Sequence, residues 1–164
     1  MNSLSKNKIK IEWIDLLVGF ENRWINSYEI DYIIFNDELN KCSEDFLITL
    51  NIEKDSTHDV FYNILLNGIK KIYNNKNLLD LSFTSEHKWF TSFLLEIKNS
   101  SKNKYDKLKD VAYLWEKLKS PNEWKPFIYY LPVELNQTTN VEILYSKLES
   151  YIEDCIFKHS IKFE

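Results

Sequence analysis

A shortage of turn-forming residues is the feature that most restricts how this chain can fold. The 164 residues include two glycines and three prolines, about 3% of the chain, whereas proteins on average contain roughly 7% glycine and 5% proline. Tight turns and β-hairpins depend on these residues and a few short polar ones. The shortage therefore favours helices joined by short polar loops over a β-sheet protein.

Apolar residues recur at helical spacing along most of the chain. This spacing predicts seven helices, near Ile11–Glu21, Tyr28–Asn36, Glu44–Glu53, His58–Asn74, Ser85–Ile97, Lys107–Lys119 and Val141–Ile156. Side chains suited to cap them precede or begin these runs; they are Ser27, Ser43, Thr57, Thr84 or Ser85, and Asn140. Two prolines bound the aromatic segment Trp124–Pro132, for which the pattern allows either a short helix or an extended conformation.

The chain is long enough to build one hydrophobic core. Hydrophobic residues make up 44% of the sequence, so most of the length can be ordered. We therefore predict an all-α fold, a single compact multi-helix domain of about seven helices over residues 11–164. Residues 1–10 are polar, and we expect a frayed N-terminus there.

Residues 29–59 form a strongly acidic stretch. They hold nine carboxylates against two lysines, a net charge of −7, although the whole chain carries −4. The carboxylates alternate with isoleucine, leucine and phenylalanine, which is typical of amphipathic helices with an acidic outer face. Such a face can steer a basic partner toward the protein. The acids can equally serve to keep a small domain in solution, and both interpretations stay open at this point.

Sequence motifs for enzymatic chemistry are missing. A phosphate-binding loop or a dinucleotide fingerprint needs more glycines than the two present, and there is no GxSxG element. The three histidines are widely spaced and none belongs to an HExxH motif, while Cys42 and Cys155 stand far apart without a CxxC pair. We predict no catalytic residue, no cofactor and no metal site, hence a protein that is not an enzyme.

Nothing in the sequence indicates a membrane segment or a secretion signal. No apolar run approaches the ~18 residues of a membrane-spanning helix, and Met1–Lys10 lacks the apolar core of a signal peptide. We expect a soluble cytoplasmic protein with no membrane partner.

A lysine-rich region offers an alternative partner, nucleic acid. The Lys98–Lys119 face combines seven lysines with Tyr105, Tyr113 and Trp115, and single strands bind to basic grooves with stacking aromatic rings. Two observations argue against this interpretation. Trp115 shares the apolar stripe of its helix, and arginine, which suits phosphate best, occurs once in the chain, at Arg23.

Three segments together carry a resemblance to a known family. The first is Glu12–Ile25, with a Trp-x-x-Leu-Leu-Val-Gly-Phe run; the second is Trp124–Pro132; the third is the capped helix from Asn140 to about Tyr151. In order and spacing they resemble a family of bacterial proteins of about this length and of unknown function. Members of that family occur as immunity proteins of polymorphic toxin and contact-dependent growth inhibition systems. The shared residues are packing residues, so no catalytic role carries over.

The resemblance implies an immunity protein that binds a cognate toxin and neutralises it by stoichiometric occlusion. A nuclease is the expected toxin, since many toxins of such systems act on RNA or DNA, and we expect the bound domain to be basic. The acids that we expect to contribute to the partner surface are Asp37, Glu38, Glu44, Asp45, Glu53, Asp55 and Asp59. The alternatives are a cytoplasmic helical adaptor without a toxin partner and a nucleic-acid-binding module that uses the Lys98–Lys119 face.

Overall fold

Helices provide almost all of the regular structure. The computed structural model describes residues 2–36, 39, 42–74, 76–129 and 140–163. The α-helices are α1 (Ser3–Lys6), α2 (Trp13–Glu21), α3 (Ser27–Asn36), α4 (Glu44–Ile52), α5 (His58–Ile72), α6 (Leu78–Lys98), α7 (Lys104–Lys117) and α8 (Val141–Lys158). Two 3-10 turns cover Glu53–Asp55 and Asn122–Phe127.

The predicted all-α fold is confirmed. Seven of the α-helices in the described ranges have nine residues or more. Within the same ranges, extended pairing is limited to an isolated antiparallel bridge between Ile9 and Phe163. No helix of the described chain combines the length and the hydropathy needed to cross a membrane.

The chain divides into two compact units, Met1–Phe90 with Lys162–Glu164, and Thr91–Ile161. The boundary falls inside α6, so that one continuous helix contributes to both units. The prediction of a single domain over residues 11–164 therefore stays a prediction.

Helix α2 is the centre of the first unit, and all residues of its Trp13–Phe20 stretch are buried. The Phe20 ring packs against Phe61 of α5 with 4.9 Å between the ring centroids. On another side, the indole N–H of Trp89 in α6 donates a hydrogen bond of 2.9 Å to the carbonyl of Asp15. A helix covered on several sides must be apolar around most of its circumference, which explains why this stretch contains a single charged side chain.

That charged side chain, Asp15, forms an ion pair inside the first unit. Lys88 Nζ lies 2.5 Å from Asp15 Oδ2, and the two side chains are 9% and 1% exposed. The backbone N–H of Glu12 also donates to Oδ2, over 2.8 Å. Burial raises the pKa of the Asp15 carboxyl above its ordinary value, and the Lys88 ammonium offsets this in part. The core thus depends on keeping the two charges paired.

Both glycines lie where a helix meets a bulky neighbouring ring. A Cβ at Gly19 would lie 2.6 Å from Cζ2 of Trp89, and a Cβ at Gly68 would lie 2.1 Å from the ring of Phe46. Neither glycine has a positive φ. Their role is therefore close packing inside helices rather than turn formation.

The second unit is built around α7, α8 and the 3-10 turn Asn122–Phe127. Trp124 is fully buried, and its indole N–H donates to the hydroxyl of Tyr151 over 3.2 Å. The part of the aromatic segment up to Phe127, whose conformation the sequence left open, is therefore a 3-10 turn. Residues 130–132 lie outside the described residues.

The expectation of a frayed N-terminus does not hold for residues 2–9. Asn2 caps α1 by accepting a hydrogen bond from the backbone N–H of Ser5, and Leu4 and Ile9 are fully buried. Ile9 also pairs with Phe163. Two isolated apolar residues among polar ones give no periodic signal, so this packing was not visible in the sequence.

Helix α6 begins at Leu78 rather than at Thr84 or Ser85. Both predicted caps lie inside the helix, where the Thr84 hydroxyl donates to the Asp80 carbonyl over 3.1 Å and Ser85 is buried. Polar residues in the early turns concealed the helical periodicity. The predicted cap Asn140 is confirmed, since its side chain accepts from the backbone N–H of Glu142 over 2.9 Å.

Replacing Arg23 by glycine should stabilise the protein by about 0.5–1 kcal/mol. Arg23 follows the end of α2 with φ of 59°, a left-handed conformation in which side chains other than glycine are strained. Urea unfolding of both proteins measures the difference. As a control, Lys70→Gly in the exposed last turn of α5 should destabilise by up to about 1 kcal/mol, because Lys70 is helical. A loss of stability in both variants would contradict the prediction.

Candidate functional site

The predicted acidic surface is divided between the two ends of α4. Glu44 and Asp45 are exposed in the first turn of α4, where carboxylates favour the positive end of the helix dipole. Asp37 and Glu38 lie outside the described residues. Since a helix rises ~1.5 Å per residue, about 13 Å of α4 separates the Glu44–Asp45 pair from the acids that follow the helix.

The remaining three predicted acids lie where α4 is joined to α5. Glu53 and Asp55 belong to the 3-10 turn, and Asp59 is in the first turn of α5 with a side chain that is 97% exposed. This group, called the α4–α5 junction below, brings together three of the seven predicted acids.

Helix α3 starts with a capping box made by Asn26, so the prediction of Ser27 as the cap is wrong. Asn26 Oδ1 accepts from the backbone N–H of Glu29 over 2.9 Å, and Glu29 Oε2 accepts from the backbone N–H of Asn26 over 3.2 Å. The hydroxyl of Ser27 instead donates to the carbonyl of Lys54 over 2.7 Å. Asparagine and serine cap equally well, so two adjacent candidates could not be separated by sequence.

Further polar contacts fasten α3 to the end of α4 and to the junction. The Tyr28 hydroxyl donates to the Asp55 carboxylate, and Asn51 Nδ2 donates to Asp31 Oδ1 over 3.1 Å. Lys54 Nζ lies 3.5 Å from Asp31 Oδ2. The hydrogen bond to Asp55, together with its negative charge, raises the pKa of the Tyr28 hydroxyl. Asp31 and Asp55 thus have partners within the protein and also fix the position of α3.

Sequence reasoning missed a stripe of exposed aromatic residues on α3. Tyr28, Tyr32 and Phe35 are 59%, 60% and 73% exposed. Their spacing of four and three residues places them on one side of the helix, whereas Ile30 and Ile33 are buried. The signal was present in the sequence as a second helically spaced apolar stripe, next to the one that enters the core.

Helix α4 exposes apolar side chains as well, since Ile48 is 51% and Ile52 69% exposed. We call these two isoleucines, the aromatic stripe of α3 and the acids Glu53 and Asp55 the α3–α4 surface. Exposed apolar patches mark interaction sites when their residues are contiguous, and aromatic residues are frequent anchors of protein interfaces. The α3–α4 surface therefore has the composition of a protein-binding site.

Two cavities border the helices α3, α4 and α5. A groove of about 710 Å³ between α4 and α5 is lined by residues that include Cys42, Asp45, Phe46 and Lys71. A second cavity, of about 440 Å³, lies at the start of α3; its lining residues are Asn2, Asn26, Tyr28, Glu29 and Tyr32. Carboxylates thus reach into both cavities.

Two of the three histidines pack against aromatic rings. The ring of His58 stacks on Phe20 with 4.5 Å between centroids, and His87 lies edge-on to Phe83 at 4.4 Å. Both cysteines are free thiols; Cys155 is buried and Cys42 is half-buried. Within the described residues no cluster of three or more His, Cys, Asp or Glu side chains could hold a metal ion.

Several lysines of the Lys98–Lys119 face are paired with acids of their own unit. Lys98 lies 3.7 Å from Glu149 and Lys102 lies 2.6 Å from Asp110, and Lys104 is paired with Glu142. Trp115 is 8% exposed, so its ring is not a stacking platform; its indole N–H donates to the Pro121 carbonyl. These contacts weaken the case for nucleic-acid binding.

Comparisons of the chain with curated proteins and with solved structures gave no significant match. A family match does exist, and it extends over residues 1–155. That range includes the Trp13–Phe20 run, the Trp124–Pro132 segment and α8 up to Cys155. The chain therefore belongs to the family described as an uncharacterized protein conserved in bacteria, DUF2247.

Proposed function

We propose that this protein is a cytoplasmic immunity protein that binds a cognate bacterial toxin and blocks it by stoichiometric occlusion. The observation that carries the proposal is the α3–α4 surface, on which exposed tyrosine, phenylalanine and isoleucine side chains stand beside carboxylates. In protein interfaces the aromatic and aliphatic anchors provide most of the affinity, while charges raise the rate of association and select the partner. The resemblance given by the Trp13–Phe20, Trp124–Pro132 and Asn140–Tyr151 segments supports a toxin as that partner.

A nuclease domain is the toxin that suits this surface best. Nucleases attract phosphates with basic residues, and a basic domain is steered toward the net charge of −7 of residues 29–59. An interface of ordinary size buries roughly 800 Å² on each partner, which two adjacent helices and the turn after them can provide. Occlusion of this kind needs no catalytic group on the immunity protein.

Replacing Glu44, Asp45, Asp55 and Asp59 together by lysine should weaken toxin binding by at least about a hundredfold, because attraction becomes repulsion at both ends of α4. The toxin to use is the product of the open reading frame directly upstream, co-expressed with this protein. Pull-down and calorimetry measure binding, and a growth assay measures protection. Lysine in the first turn of a helix costs roughly 0.3–1 kcal/mol, so thermal unfolding is recorded for each variant.

The matched control reverses two exposed acids of α8, Glu153 and Asp154, which should leave binding and protection unchanged. A quadruple variant that is folded and still protects cells fully contradicts the acidic docking surface. Absence of any complex with the upstream gene product contradicts the toxin partner itself.

The alternative is a helical adaptor that binds another cytoplasmic protein through the same α3–α4 surface. Gene order separates the two functions, since an immunity gene is expected directly behind a large toxin gene. Expression of that upstream gene alone should stop growth if the immunity function is correct. An adaptor would leave growth unaffected in the same assay.

A further inference from the structure

We propose that the cavity at the start of α3 receives an arginine side chain of the protein partner. This inference rests on the proposed function, because it names the group of the toxin that would enter the α3–α4 surface. We call the cavity the tyrosine pocket, after Tyr28 and Tyr32, which stand one helical turn apart in its lining together with Glu29.

The tyrosine pocket is large enough to admit a side chain, and part of its wall is held in place. Its volume of about 440 Å³ lies at the lower end of the range of roughly 300–1,000 Å³ found for ligand pockets. One wall is fixed by Asn2, which is 7% exposed and whose Oδ1 accepts from the backbone N–H of Ser5 over 3.0 Å. The position of Glu29 is fixed by the capping box with Asn26. The polar part of the pocket wall is thus held in place by the protein itself.

The charge of the tyrosine pocket selects a cation. Glu29 supplies a carboxylate, of which Oε2 accepts from Asn26; among the described residues no hydrogen bond occupies its Oε1. Asp55, bound to the hydroxyl of Tyr28, places a second negative charge beside that ring. No basic side chain belongs to the described lining. Aromatic faces are themselves attractive to cations, so charge and rings favour the same kind of group.

Arginine fits this combination better than lysine. Its guanidinium is planar and weakly hydrated, it stacks on aromatic faces, and it donates several hydrogen bonds in a fixed direction. A guanidinium between the rings of Tyr28 and Tyr32 can donate to Oε1 of Glu29, and hydrogen bonds between two charged groups are the stronger ones. Lysine would supply the charge without the stacking surface.

Titration of the full-length protein with a blocked peptide, Gly-Gly-Arg-Gly-Gly, tests the pocket without a toxin. The ring signals of Tyr28 and Tyr32 in NMR spectra should shift and saturate. The same peptide with citrulline, a neutral analogue of arginine, should bind about tenfold more weakly because the charge-assisted bond is lost. Absence of saturable shifts, or citrulline or lysine peptides that bind as tightly as the arginine peptide, would overturn the proposal.

Two variants locate the binding in the tyrosine pocket. Glu29→Gln retains an oxygen that accepts from Asn26, so the capping box persists while the charge is removed; affinity for the arginine peptide should fall about tenfold. Tyr32→Ala removes one ring and should reduce affinity about threefold to tenfold. Glu153→Gln, an exposed acid of α8 that belongs neither to the α3–α4 surface nor to the pocket lining, is the control that should bind as the wild type does. Equal binding by Glu29→Gln and wild type would overturn the assignment.

The toxin complex separates this inference from the proposed function. If the arginine peptide binds but the upstream gene product does not, the immunity function is wrong and the pocket stands. If Phe35→Ala removes protection but Glu29→Gln and Tyr32→Ala do not, the immunity function stands and the pocket is wrong. Size-exclusion chromatography tests whether Arg23 of a second copy of this chain occupies the pocket instead. If the protein is a dimer and Arg23→Ala makes it monomeric, the pocket binds a second copy, and the proposal of a toxin arginine is overturned.

Discussion

Replacing Lys88 by methionine should lower the free energy of unfolding by about 3–5 kcal/mol at neutral pH. The substitution leaves the Asp15 carboxyl, which is 1% exposed, without its positive partner in the core. Methionine fills a volume similar to that of lysine, so the loss reports the charge and not a cavity. Since small domains have a total stability of about 5–15 kcal/mol, this variant should be only marginally folded. Urea unfolding followed by circular dichroism measures the difference.

The stability that Lys88→Met loses should depend on pH, and the pKa of Asp15 determines in which direction. Burial raises this pKa in the folded protein above the ordinary value of 3.8, and removal of Lys88 raises it further. Below the unfolded-state pKa the carboxyl is protonated in both states, and the raised pKa then has no cost. Stability falls as the pH rises through the folded-state pKa. The difference in the free energy of unfolding between wild type and variant should therefore be largest at neutral pH and become smaller as the pH approaches 3.8.

Two variants control this experiment. Lys102→Met breaks an exposed ion pair, in which the side chain of Lys102 is 52% and that of Asp110 37% exposed. This variant should lose at most about 1 kcal/mol of stability. The double variant Asp15→Asn with Lys88→Met removes both charges and should recover part of the stability. If Lys88→Met loses no more stability than Lys102→Met, the ion pair between Asp15 and Lys88 does not stabilise the core.

Replacing Gly19 by alanine should destabilise the protein by about 2 kcal/mol or more. The new Cβ would lie 2.6 Å from Cζ2 of Trp89 and 3.0 Å from Cγ1 of Ile25. Trp89 is 1% exposed and its indole N–H is bonded to the Asp15 carbonyl, so the ring has no room to move. The helix propensity of alanine opposes this loss by about 1 kcal/mol. Thermal unfolding of the two proteins gives the net effect.

Gly68→Ala is the matched control, because it has the same gain in helix propensity. The Cβ would meet the outer end of the Phe46 ring, and Phe46 is half-buried at the edge of the groove between α4 and α5. The ring can therefore move aside, and the loss should stay below about 1 kcal/mol. A larger loss in Gly68→Ala than in Gly19→Ala would contradict this account of the two glycines.

Helices were predictable from this sequence because their apolar spacing is local. The run of α7 from Leu108 to Trp115 and the cap Asn140 are examples, since each depends on residues within a few positions of one another. The start of α6 was missed because Asp80, Thr84 and Ser85 interrupt the apolar stripe. Ile9 was missed for another reason: it pairs with Phe163, far along the chain, and the spacing of nearby residues does not reveal such a contact.

The candidate site was predictable in its charge and not in its apolar part. Nine acids in residues 29–59 are visible in any reading of the sequence. That Asp55 is held by Tyr28, 27 positions earlier, depends on the tertiary fold. Likewise the sequence shows two apolar stripes on α3 but cannot say that Ile30 and Ile33 enter the core while Tyr32 stays in solvent.

The contacts that fasten α3 have a consequence for local opening. A ten-residue helix such as α3 is too short to persist alone in water, so it remains ordered through its two buried isoleucines and its bonds to Asn51, Lys54 and Asp55. Groups linked in this way open and close as one cooperative unit. In hydrogen exchange, the amides of α3 and those of the 3-10 turn Glu53–Asp55 should therefore lose protection together. Any molecule that binds the aromatic stripe should therefore slow exchange in this turn as well as in α3.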